Sequence, residues 1–173
     1  MKFKAPTTFL VERAMAKQEE PVDGMKVWRD AAQEQLTEPV VDACLFSRPS
    51  NYAANLGGRQ FGALGSLAVS QGQKARANGL PQHFIFAVTD KEIVVLERKI
   101  GGRGGATGKP GPEVTRWQRD GLQVSWKEGG YLYNARLFAP ETEDDVQCCV
   151  GMSPLSEDFL RLLAAPARTT PAA

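Results

Sequence analysis

The sequence predicts an α+β fold: a strongly bent antiparallel β-barrel of about seven short strands with a C-terminal capping helix, preceded by N-terminal helices and interrupted by a Gly/Ala-rich helical insertion. Three observations predict it. From His83 onward, apolar, β-branched and aromatic residues come in runs of strand length. The connections between these runs carry turn residues, as in Asp120-Gly121 and Glu128-Gly129-Gly130. The last run, Ser153 to Leu163, changes to helical spacing.

Taken in order, Thr8 can cap a short helix through about Glu19, and Pro21 breaks it. Asp23 can cap a second helix through Leu36, with Val27, Trp28, Ala31 and Leu36 on or near one side, until Pro39 ends the run. "PVVDACLF", residues 39–46, reads as the first strand. Gln60 to Asn78 reads as the inserted helix, closed by Asn78-Gly79 and Pro81 with Lys74 and Arg76 in its last turn.

"HFIFAVTD" and "EIVVLERKI" form a hairpin whose strands are apolar on both faces, so both faces are expected to be covered. "EVTRWQ" and "LQVSWK" are expected to pair across "RDG", residues 119–121. Leu122, Val124 and Trp126 alternate with Gln123, Ser125 and Lys127, which gives that strand one wet face. "YLYNARLFA" and "DVQCCVG" complete the set, with Val146, Cys148 and Val150 on one face. In the final helix Ser153 is the cap, Pro154 suits the first position, and Leu155, Phe159, Leu162 and Leu163 form the apolar stripe. The expected organisation is therefore a helical segment over 1–38, a domain over 39–164 with its insertion at about 58–79, and a frayed tail over 165–173.

These runs carry a resemblance. "GLPQHFIFAVTDKEIVVLERK", "VTRWQRDGLQV" and the closing "SEDFLRLL" resemble an uncharacterised actinobacterial protein family with a bacterial pleckstrin-homology (PH)-like domain. Its members carry a glycine- and alanine-rich helical segment before a strand that ends in an alanine-valine-threonine turn. The resemblance covers about Pro39 to Leu163 and implies a PH-like barrel. It brings no catalytic residues with it, and fold alone does not license a function.

Composition narrows the classes. Hydrophobic residues at 42% and charged residues at 24% of 173 suit a single globular domain, and no stretch approaches the roughly 18 apolar residues of a membrane span. The N-terminus lacks the apolar region of a secretory signal, so a cytoplasmic location is expected, with peripheral membrane association open to it. Net charge is +1, and no interleaving of basic and aromatic residues suggests nucleic acid. Within residues 58–109, Arg59, Lys74, Arg76, Lys91, Arg98, Lys99, Arg103 and Lys109 outweigh Asp90, Glu92 and Glu97. Such asymmetry can steer an anionic partner.

"GGRGGATGKPG", residues 101–111, is no phosphate loop. Arg103 stands where a Walker motif needs glycine, Pro110 stands where it needs Ser or Thr, and strands rather than a helix follow. The dinucleotide pattern fails at Thr107. The segment reads as a hairpin connection in which Arg98, Lys99, Arg103 and Lys109 are the candidate anion or lipid contacts. Gly58, Gly62, Ser66 and Ser70 recur every four residues, a stripe of small side chains that lets another backbone approach. That stripe can pack internally, support a homo-oligomer or accompany a helix lying on lipid.

Cys44, Cys148 and Cys149 lack metal-ligand spacing, and with the single histidine, His83, they suggest structural thiols and no metal or other cofactor. His83 opens an apolar strand without a Gly-x-Ser-x-Gly elbow and reads as an edge or core residue. Trp28, Trp117 and Trp126 read mainly as packing residues. The function expected is a non-enzymatic module that binds an unknown protein or an anionic lipid surface. The alternative is a small enzyme using a cleft between the N-terminal helices and the barrel.

Overall fold

The computed structural model describes residues 24–49, 71–72, 74–98 and 110–167. The expected helix over 8–19 lies outside them, as does most of the expected helix over 60–78. What is described of the latter is its end. Residues 74–76 are helical, Gly79 N donates to Lys74 O at 2.8 Å, and Asn78 and Gly79 take φ of 50° and 77°. Asn and Gly tolerate that left-handed conformation, so the closing signal read from Asn78-Gly79 is the one the chain uses.

Seven strands follow one another in an antiparallel sheet: β1 (Asp42–Ser47), β2 (His83–Val88), β3 (Glu92–Arg98), β4 (Pro110–Gln118), β5 (Gln123–Gly129), β6 (Leu132–Ala139) and β7 (Asp144–Gly151). Helix α1 (Gly24–Gln33) precedes them and α2 (Pro154–Ala164) ends the fold. The spatial order is β4-β3-β2-β1-β7-β6-β5. Two hairpin meanders, β1–β4 and β5–β7, thus meet along β1 and β7, where Ser47 pairs with Cys149.

The sheet is not closed, and the expected pairing of "EVTRWQ" with "LQVSWK" does not occur: β4 and β5 are its two opposite edges. Gly121 does supply the positive backbone angle, with φ of 85°, but the turn carries the chain from one meander to the other. Arg119 holds it there. Its buried guanidinium donates from Nη1 to Thr89 O at 3.1 Å, and from Nη2 to Leu162 O and Ala165 O at 3.2 Å each. The β2–β3 turn and the carbonyl end of α2 are thereby fixed to one side chain. Edge strand β4 begins Pro110-Gly-Pro112, residues that discourage a further strand from pairing there.

One face of both meanders shares a single core. Phe46, Phe84, Phe86 and Trp117 come from the first meander, Leu137, Val146 and Cys148 from the second, and Phe159, Leu160 and Leu163 from α2. Opposite edges can share a core only because the sheet folds over on itself. Trp117 Nε1 on β4 accordingly donates to Asp144 Oδ2 on β7 at 2.7 Å. Helix α2 fills the mouth of this fold as its cap predicts: Ser153 Oγ accepts from Ser156 N at 3.0 Å. Its buried stripe is Ser156, Phe159, Leu160 and Leu163, whereas Leu155, expected in the stripe, is 48% exposed.

The second face of the first meander is also covered. Ala43, Ile85, Ala87, Val94 and Leu96 pack beneath α1 with Ala32, Trp28 and Leu36. This explains why β2 and β3 are apolar on both faces. The helix ends at Gln33, and its packed side carries Met25, Trp28 and Ala32 at spacings of three and four; Val27, expected inside, is 50% exposed.

Candidate functional site

β1 ends and β2 begins at one end of the first meander, and β3 ends and β4 begins there too. Ser47 pairs with His83, Phe84 with Glu97, and Arg98 with Pro110, so residues 48–82 and 99–109 both leave from this end. Strand alternation places Ser47, His83 and Arg98 on the face that carries α1. Ser47 Oγ and His83 Nδ1 lie 2.8 Å apart, Arg48 Nε donates to Leu80 O at 2.7 Å, and the Arg98 guanidinium sits 5.2 Å from the centre of the Trp28 ring. Three basic side chains therefore gather where the two long connections emerge.

Of the expected anion contacts, Arg98 is found here, anchored on the aromatic face of α1. Lys99, Arg103 and Lys109 lie outside the described residues. So do Gly58, Gly62, Ser66 and Ser70, and with them the small-residue stripe. Arg48 was not read from the sequence as a site residue; its place beside the first expected strand end was the available signal.

Ser47 and His83 have the spacing of a nucleophile and its base, but their surroundings oppose that use. Burial pushes the His83 imidazole below its ordinary value, and Arg98 and Arg48 push it the same way. A general base needs its protonated form stabilised, and here two cations disfavour it. Cys44 and Cys148 are equally unsuited to nucleophilic work: burial, with Asp42 adding to it, pushes the Cys44 thiol up to about 12, and burial raises Cys148 well above its ordinary range. Cys149 Sγ donates to Arg48 O at 3.1 Å. All three cysteines are buried, and none forms a disulfide among the described residues.

The cleft between α1 and the sheet, of about 320 Å³, is lined by Met25, Trp28, Cys44, Leu45 and Met152 among others. Ser153 and Ser156 also border it, and they are engaged with each other at 2.8 Å in the cap of α2. Among the described residues, no group of three or more His, Cys, Asp or Glu could hold a metal ion, and no helix is long and apolar enough to cross a membrane.

A larger concavity, about 510 Å³, lies over β5, β6 and β7 and is lined by Arg76, Ser125, Lys127, Asn134, Arg136 and Gln147 among others. The wet face of β5 was legible in its alternation, but the register that sets it beside Arg136 and Gln147 is a long-range fact.

His83 and Asp144 give the fold an acid sensitivity with a definite sign. A histidine whose value is lowered on folding binds its proton more readily unfolded, so stability is lost as pH falls from about 6.5 through the depressed folded value. Burial pushes Asp144 up, yet donations from Thr142, Trp117 and Asn78 hold it below its ordinary value. Its contribution is present above about pH 4 and lost as pH falls through the lowered value. Urea midpoints measured across this range should decline in two stages, and His83→Gln should abolish only the upper one. An unchanged upper stage in that variant would contradict the assignment to His83.

No protein-family model matches this chain, and no curated protein matches it.

Proposed function

We propose that this chain is a non-enzymatic, PH-like module that docks peripherally on an anionic membrane surface through the end of the sheet from which residues 48–82 and 99–109 emerge. The observation that carries this reading is the gathering of Arg48 and Arg98 beside His83 at that end, where the connection bearing the further cations Lys99, Arg103 and Lys109 begins and returns. Basic residues near an anionic lipid surface contribute about 1 kcal/mol each, so a cluster of this size gives useful affinity without a deep pocket. A cytoplasmic location accords with that use, since the cytoplasmic leaflet bears the negative charge.

The PH-like assignment draws support from the arrangement of the strands. Two meanders meet along β1 and β7, the edge strands β4 and β5 do not pair with each other, and an amphipathic helix fills the mouth between them. The non-enzymatic assignment rests on the cations around His83 and on the buried thiols.

Charge reversal in the connection tests the reading while leaving the core untouched. The triple variant K99E/R103E/K109E should bind phosphatidylserine-containing vesicles at least about 100-fold more weakly, since each basic residue contributes about 1 kcal/mol and reversal adds repulsion. Its melting temperature should match that of the parent chain. Equal vesicle affinity for the two proteins would overturn this docking mode.

A further inference from the structure

We propose that the concavity over β5, β6 and β7 is a second binding site, one for a small organic anion of the phosphate or carboxylate class. Its volume of about 510 Å³ falls within the range of about 300–1,000 Å³ usual for small-molecule sites. The register builds its floor. Ser125, Arg136 and Gln147 form one row across the three strands, and Lys127 and Asn134 stand together in the next. Arg76, close to the end of the chain between β1 and β2, completes the lining.

Among the described residues the lining holds three cations and no carboxylate. Asp145, outside the lining, accepts from Arg136 Nε at 2.8 Å and Nη2 at 2.6 Å, which neutralises one of the three. Arg76 and Lys127 are exposed and form no ion pair or hydrogen bond among the described residues. The side chains of Ser125, Asn134 and Gln147, which also line the cavity, are likewise without a hydrogen-bond partner among those residues. Two cations with no partner among the described residues, beside donors of this kind, suit an occupant that accepts hydrogen bonds and carries negative charge. The Asn134 amide lies over Gly129, in the space a Cβ would fill. Glycine at 129 thus leaves room for one of the donors.

This site is separate from the membrane-docking end, and its test reads separately. The full-length chain would be titrated with inorganic pyrophosphate and, in parallel, with citrate, following the Asn134 and Gln147 side-chain amides by NMR. Saturable, one-to-one shifts of these signals are expected, and the probe that binds more tightly distinguishes phosphate from carboxylate. R76E/K127E should weaken that binding by at least about tenfold, equivalent to about 1.4 kcal/mol, without lowering the melting temperature. K99E/R103E/K109E should leave it unchanged. The absence of saturable shifts at these side chains with either probe would overturn the proposal, as would equal affinity in R76E/K127E.

Discussion

Arg119→Met should destabilise the protein by about 3 kcal/mol, because the buried Thr89 carbonyl and the half-buried carbonyls of Leu162 and Ala165 lose their donor at once, and a buried acceptor left unsatisfied costs about 1–3 kcal/mol. The Arg119 side chain bonds Thr89 O at 3.1 Å and Asp90 O at 3.4 Å in the β2–β3 turn, and Leu162 O and Ala165 O at the end of α2. Methionine preserves the aliphatic stem, so the loss reports on the guanidinium rather than on packing. Lysine would keep the charge without the planar fork and should recover only part of the stability. Urea unfolding followed by circular dichroism measures the difference. A Met variant within about 0.5 kcal/mol of the parent, the range of an ordinary surface substitution, would show that α2 is held by its apolar stripe alone.

Phe86→Ala should cost about 4 kcal/mol, the range found when a buried phenylalanine is cut back and its cavity persists. Phe86 is fully buried, with ring centroids 4.7 Å from Phe46, 5.1 Å from Phe84 and 6.0 Å from Trp117. These rings belong to three strands of the first meander, β1, β2 and the edge strand β4, whose Trp117 reaches across to Asp144 on β7. The void would therefore open where both meanders contribute to the core. Tyr131→Ala serves as the control, since Tyr131 is 92% exposed in the β5–β6 turn and its loss should change stability by no more than about 0.5 kcal/mol. Similar losses in the two variants would mean that the aromatic cluster is not the centre of the fold.

Much of the architecture was legible because it depends on local chemistry. The cap at Ser153, the closure at Asn78-Gly79 and the two-sided apolar character of β2 and β3 each act within a few residues. The failures fall where a distant partner decides. Asp120-Gly121 supplies a backbone angle that serves a hairpin or a crossing equally, and only the carbonyls gathered around Arg119 select the crossing. Val27 and Trp28 are both apolar neighbours on α1, but the position of the sheet decides that Trp28 packs and Val27 faces water.

The candidate site was less legible for the same reason. A run of basic residues announces an anion contact, yet Arg98 stacks on Trp28, seventy residues away in the chain, and a linear reading has no access to that pairing. The polar floor over β5–β7 has no sequence motif either. It exists because register sets Ser125, Arg136 and Gln147 side by side.

Sedimentation of the full-length chain with lipid vesicles at increasing salt tests the central claim most directly. Docking through Arg48, Arg98 and the 99–109 connection predicts binding to phosphatidylserine-containing vesicles at low salt, progressive release as added salt screens the charges, and no binding to phosphatidylcholine alone. Failure to bind the anionic vesicles at low salt, or binding that salt does not weaken, would contradict it.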